Sequence, residues 1–401
     1  MTIVFKNALL IDGLGGAPLK DAVLAVEGDQ VMYAGSAEGY AVPEGAEVVD
    51  LAGKTVIPGL IDCHIHMDLH GIGDTNNENF VEEKLRTIRT AKNMEKTLQK
   101  GITTIRNAGS VNHIDFAVKA AVKDGWCKGP RIVTSGQIIS MTASGSSYFN
   151  GMYREADGVD EVRKAAREQL KAGADFLKVM ATGAYMNPGG VPGAVQFNLD
   201  ELKVVVEEAG KLELGVAAHA HGAQGIINAA LAGVRTIEHA SFLDDRGIEL
   251  MLEKGIYLVP TLSAGYHILK NQEEKDVPRF MIEKNVHMRT IRSSNVKRAI
   301  EAGVKVAFGS DAGTSYNYHG LNATELLIWI EDGFMSPLEA ICCGTRVAAE
   351  AAGVADLVGT LEKGKLADFV VVDGDLTAGL EPLLENIVAV YKEGNKVNLE
   401  N

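Results

Sequence analysis

Between residues 58 and 346, short apolar runs rich in β-branched side chains alternate with stretches of helical spacing. The runs at 60–66, 103–107, 131–135, 176–181, 216–221, 236–240, 257–262 and 304–310 read as strands. Several are unbroken apolar runs, the pattern of parallel strands covered on both faces. Helical spacing fills 159–172, 199–212, 224–232 and 289–302. Ala172-Gly173, Ala232-Gly233 and Ala302-Gly303 close three of these stretches, as at a helix C-cap. Eight strands with intervening helices over this length predict an α/β fold, a (β/α)8 barrel of the TIM type. A doubly wound open sheet is the alternative, but no Gly-x-Gly-x-x-Gly follows the first strand.

The two ends have a different texture. Strand-like runs at 3–9, 22–26, 30–35 and 46–50 are separated by Asp12-Gly13-Leu14-Gly15-Gly16 and Glu27-Gly28-Asp29, which read as turns. The C-terminal runs 366–372, 387–392 and 396–399 repeat this, with turns at Asp373-Gly374-Asp375 and Glu393-Gly394-Asn395. Neither end is long enough to build a core alone. Residues 1–57 and 347–401 are therefore expected to pair into one small β-sandwich beside a barrel of residues 58–346.

Charge narrows the partners. Across 401 residues, 39 Lys+Arg against 53 Asp+Glu give a net charge of −14, and no run of five basic residues occurs. Nucleic acid and anionic membrane surfaces both require clustered cations, so neither is an expected partner. No 18-residue uncharged apolar span is present, and the first residues lack the pattern of a signal peptide. Cys63, Cys127, Cys342 and Cys343 form no Cys-x-x-Cys, which suits reduced thiols and a cytoplasmic location.

Potential ligands gather at the strand ends, where barrel active sites lie. His64 and His66 share one face of the first strand, because side chains alternate with period 2. Lys178 stands in the fourth strand, His219 and His221 in the fifth, His239 ends the sixth and Asp311 follows the eighth. Five of the ten histidines thus fall at strand ends. Lys178 admits two readings, since a buried ammonium is costly unless paired. It can be bridged to a carboxylate such as Glu238. Alternatively, desolvation can populate its neutral amine, which adds carbon dioxide to give a carbamate able to bridge two metals.

These residues carry a resemblance. The stretches Val56–His66, Leu177-Lys178-Val179-Met180-Ala181-Thr182-Gly183, Ala217-Ala218-His219-Ala220-His221-Gly222, Ile237-Glu238-His239-Ala240-Ser241 and Gly309-Ser310-Asp311-Ala312-Gly313 follow in order. Through them the chain resembles the amidohydrolase superfamily of binuclear metal hydrolases, in its imidazolonepropionase-like and prolidase-like branch, which includes Xaa-Pro and Xaa-Arg/Lys dipeptidases. The resemblance runs from Met1 to about Lys396 and includes Gly364-Lys365-Leu366-Ala367-Asp368, a return into the sandwich. It implies that His64, His66 and Asp311 hold the more buried metal, His219 and His239 the second, and carboxylated Lys178 both. It favours His219 over His221 as the fifth-strand ligand, leaving His221 to substrate. Two divalent ions are implied, zinc first, with manganese or iron as alternatives, and homo-oligomers are common in the family.

The implied reaction is hydrolysis of a C–N amide bond by a metal-bridged hydroxide, with Asp311 moving the proton and Lys178 completing the catalytic set. The substrate would be a small amide, a dipeptide or an N-acyl amino acid. Imidazolonepropionase-like opening of a cyclic amide is the alternative. Deamination is disfavoured by Lys178 and by His219-Ala220-His221, which lacks the nearby glutamate of such enzymes. A non-catalytic scaffold would have no need of this donor set. The family's Thr-Gly-Gly-His-like turn after the third strand is here Ser140–Tyr148, without histidine. Ser144, Ser146 and Tyr148 are then candidate substrate contacts, as are Tyr185, Tyr266, His319 and His70, while the Gly/Pro-rich 188–192 reads as the edge of a lid. His113, His267 and His287 read as packing or surface residues.

Overall fold

The computed structural model describes residues 2–399. The alternation foreseen in the middle of the chain folds into a row of parallel strands. Leu60–Ile65 pairs with Ile102–Asn107, which pairs with Arg131–Thr134. The third run then turns at Gly136, whose φ of 71° only glycine adopts freely, and resumes as Ile138–Ser140 against Leu177–Met180. Val216–Ala220, Thr236–His239 and Tyr257–Val259 follow, each parallel to its neighbour.

The eighth run departs from expectation. Residues 304–310 form no continuous strand. They bridge instead at single points, Leu258 with Val306 and Ile65 with Ala312, both parallel. Backbone bonds from Ala307 N to Leu258 O (2.9 Å) and from Cys63 N to Phe308 O (2.8 Å) still join the segment to the seventh strand on one side and the first on the other. The row of neighbours therefore returns to its starting strand as a ring. Its regularity is lost where the chain crowds inward. A Cβ on Gly309 would stand 2.3 Å from Val259 Cγ1 and 2.9 Å from His64 Cβ, and Asp311 takes φ 58°.

Helices Gly158–Ala172, Leu199–Gly210, Ala223–Ala232 and Asp245–Lys254 follow successive strands. The first and third end at Gly173 and Gly233 in the left-handed conformation, as their Ala-Gly pairs foretold. The last long helix, Arg279–Glu301, begins ten residues before the expected start. One continuous apolar core lies between strands and helices and includes Leu60, Ile105, Leu177, Val179, Ala218, Ile237, Leu258 and Trp329.

Strands from both ends of the chain join in one eight-stranded sheet. Thr2–Leu10 pairs with Leu19–Glu27, Glu47–Asp50 and Thr55–Pro58. Thr55–Pro58, which lies outside the strand-like runs read from the N-terminal sequence, runs antiparallel to Phe369–Val372 and so links the termini. Phe5 packs edge-on against Phe369 and Tyr391, with both centroid distances 5.1 Å, inside a second apolar cluster. Gly59 alone separates this sheet from the ring, and a Cβ there would lie 2.1 Å from Thr103 Oγ1. Among the described residues no helix is long and apolar enough to cross a membrane.

Candidate metal centre

The ring brings its strand ends to one place. His64, Lys178, His219, His239 and Asp311 are buried and His66 nearly so, and all six line one cavity. His64 Nε2 lies 3.7 Å and His66 Nε2 3.6 Å from Asp311 Oδ1. Two ligand atoms at about 2.1 Å from one ion and at tetrahedral angles stand about 3.4 Å apart, close to both distances. His64, His239 and Asp311 each offer an atom within 4.8 Å of the others. His219 closes the cluster, its ring centroid 4.5 Å from that of His239.

The backbone is bent to make this possible. His239, Ala240, Thr261 and Asp311 have φ of 70°, 47°, 51° and 58°. Side chains other than glycine reach this region at a cost, and such positions concentrate at functional sites.

Hydrogen bonds set which imidazole nitrogens face inward. His66 Nδ1 lies 3.1 Å from the Gly109 carbonyl, which can only accept, so Nδ1 carries the proton and Nε2 is the open donor atom. His64 Nδ1 meets Glu238 Oε2 at 2.6 Å with the same consequence, and His239 Nδ1 meets Thr261 Oγ1 at 2.6 Å. Glu238 also accepts from Arg106 at 2.8 Å. Buried Asp62 ties the first strand to the eighth segment by accepting from His64 N, Ser310 N and Oγ, and Asn322.

The electrostatics suit a cation site. Burial, with the Lys178 charge adding to it, lowers His64 to about 3, and burial lowers His66 to about 4; His219 and His239 fall well below their ordinary value for the same reason. All four imidazoles are therefore neutral near pH 7. Burial lowers Lys178 to about 8, against the pull of Glu238 and Asp311. Burial also lifts Asp311 to about 7, although Lys178 and Arg292 oppose it. Glu238 is pushed up by burial, but Arg106, Lys178 and His64 outweigh that and keep it ionised. The bridge from Lys178 to Glu238 is not formed. Lys178 Nζ is buried without a hydrogen-bond partner, as are His219 Nε2 and Asp311 Oδ1. Unpaired donors of this kind, all neutral or anionic save one amine near its titration point, fit divalent ions.

The cavity encloses about 500 Å³ including its mouth. Of the substrate contacts foreseen in sequence, Tyr185 lines it. The others fall outside. His221 is fully buried with Nδ1 on Ser241 Oγ at 2.8 Å, and His319 directs Nε2 to the Leu69 carbonyl at 2.9 Å. Tyr148 donates to Asp74 at 2.5 Å, Ser144 is exposed, and Tyr266 packs on His267 over a separate groove. His70 pairs with Glu78 at 3.1 Å. Sequence reading missed Phe149, Met152, Tyr153, Met186, Asn187 and Thr314, which come from loops, a short helical turn and a three-residue strand and carry no periodic signal. It also missed Arg106, although a charged residue inside an apolar strand is the same signal that singled out Lys178. The 188–192 loop is fastened by Lys284, which donates to the carbonyls of Asn187 (2.9 Å) and Gly190 (2.6 Å).

Residues 55–397 match the amidohydrolase family. Ochratoxinase of Aspergillus niger is 34% identical over 406 aligned residues, covering 93% of this chain and 81% of that protein. Imidazolonepropionase of Rhizobium rhizogenes is 25% identical, covering 92% and 90%. The crystal structure of a Xaa-Pro dipeptidase with methionine in its active site superposes with a TM-score of 0.91 at 30% identity, covering 99% of each chain. The chain belongs to the amidohydrolase family and is a hydrolytic enzyme.

Proposed function

We propose that the protein is a metal-dependent hydrolase of C–N amide bonds. The observation that carries this is Lys178, a fully buried amine with no anionic partner, set among neutral imidazoles and Asp311. In this reading the ring is a (β/α)8 barrel of residues 58–346 and the terminal sheet a β-sandwich domain of residues 1–57 and 347–401. His64, His66 and Asp311 would hold one divalent ion and His219 and His239 a second, with Lys178 as its carbamate completing the donor set; zinc would suit the nitrogen-rich set, with manganese or iron next. Bound there, such ions supply Lewis acidity and a water acidified toward neutral pH.

The chain's own groups do the rest. Asp311, with Oδ1 3.7 Å from His64 Nε2 and 3.6 Å from His66 Nε2 at the cavity floor, is placed to take a proton and return it to the leaving nitrogen. One water is consumed: oxygen joins the carbonyl carbon, the C–N bond breaks, and a carboxylic acid and an amine leave. The Tyr185 hydroxyl, buried on the cavity wall and kept protonated by burial, is placed to donate to substrate. Metal analysis combined with a screen of dipeptides, N-acyl amino acids, neutral amides and lactams tests the assignment. Two equivalents of metal and amide cleavage are expected. Turnover confined to lactams would shift the reading to the imidazolonepropionase type, and ammonia release without amide cleavage would replace it by deamination.

A further inference from the structure

The cavity above the donor cluster has a wall that metal chemistry does not explain. Away from the six donors it is closed by Leu69, Ile138, Phe149, Met152, Met180 and Met186. Its remaining polar groups, Tyr153, Tyr185, Asn187 and Thr314, are all neutral, with burial pushing Tyr153 up to about 12 and Tyr185 further. Lys178 is the single cation among the lining residues, and a carbamate would make it an anion.

Among the described residues no other Lys or Arg lines the cavity. Arg292, whose charge is felt at Tyr185, Asp311 and His221, lies outside the lining and donates to the Leu262 carbonyl at 3.0 Å. Lys284 is committed to the carbonyls of Asn187 and Gly190. The chain as a whole carries −14. A carboxylate entering this space would give up its hydration and find no guanidinium or ammonium in return. An ammonium would find only Asp311, which the reaction needs as proton carrier.

Resting on the amide-hydrolase reading above, we propose that the substrate is a neutral amide whose apolar, ring-sized group packs on the Met/Phe wall, with no charged group near the scissile bond. Flexible methionine side chains adapt to aromatic faces and make favourable sulfur–ring contacts.

Matched substrates test this with the full-length, metal-loaded enzyme and no variant. N-acetyl-, N-benzoyl- and N-naphthoyl-phenylalanine are compared with the same acyl groups on phenethylamine, so that each pair differs only in the carboxylate. The neutral members are expected to show kcat/KM higher by about 100-fold. Equal or faster cleavage of the carboxylate members overturns the substrate class and leaves amide hydrolysis standing. No cleavage of any of the six overturns the amide reading, and this inference with it.

Discussion

At the scale of single residues, Lys178 and Arg106 present opposite solutions to one problem, a cation inside a strand ring. Arg106 is compensated by Glu238 at 2.8 Å and by the Cys63 carbonyl at 2.6 Å, while Lys178 is not compensated. Arg106→Met leaves the Glu238 carboxylate buried with one partner fewer. It should cost about 3–5 kcal/mol in denaturant unfolding, as removal of one member of a buried pair does. Lys178→Ala should abolish turnover and lower metal content, with partial rescue by short carboxylic acids; unchanged metal content would remove the carbamate from the scheme. Because burial lowers Lys178 to about 8, its neutral amine is scarce below that pH and abundant above it. At a fixed concentration of dissolved carbon dioxide, reactivation of metal-free enzyme should therefore slow about 50-fold on going from pH 8 to 6.

At the scale of elements, the sequence disclosed the ring through its apolar runs and through the chemistry at their ends. It did not disclose how the ring closes, because Gly309 serves by what it lacks. Gly309→Ala would push on His64 Cβ and Val259 Cγ1. Its melting temperature and its metal affinity should both fall. Gly303→Ala meets no atom within 4 Å and carries only the burden of φ 95°, so its metal affinity should match wild type. If both variants lose metal equally, contact at Gly309 is not what orders His64. The cavity wall was illegible for a different reason. Phe149, Met152, Tyr153, Met186 and Asn187 sit in loops, a short helical turn and a three-residue strand, too short to show a period of 2 or 3.6, and only the fold brings them together.

At the scale of the whole molecule, the two ends act as one unit. The C-terminal strand Phe369–Val372 pairs with Thr55–Pro58 over four residues, and Gly59 passes directly from that pairing to the strand bearing His64 and His66. Sequence reading expected the two ends to pair, but Thr55–Pro58 was not among its strand-like runs, so the match of this strand to residues more than 300 positions away was not foreseen. A chain ending at residue 346 would leave this strand paired only with Thr2–Leu10, its other edge open beside the metal ligands. It should fail to reach a protease-resistant fold or retain metal, even though every proposed ligand is present. Recovery of stoichiometric metal in that fragment would show that the ring needs no terminal sheet.

The left-handed backbone at His239, Ala240, Thr261 and Asp311 implies a trade between durability and activity. Each such residue costs of order 1–3 kcal/mol, offset by the surrounding packing and hydrogen bonds and, at the proposed ligands His239 and Asp311, by metal binding. The metal-free protein should thus gain from changes that destroy it as a catalyst. Asp311→Asn is the sharpest case, since asparagine tolerates this conformation and carries no charge to bury. Asp311 is raised above its ordinary 3.8 to about 7, so its ionisation weakens the metal-free fold increasingly from pH 4 upward and fully above 7. Metal-free Asp311→Asn should accordingly melt higher than metal-free wild type at pH 8, match it at pH 4, and turn over substrate orders of magnitude more slowly once loaded. A mutant screen for thermal resistance without metal would enrich dead enzymes.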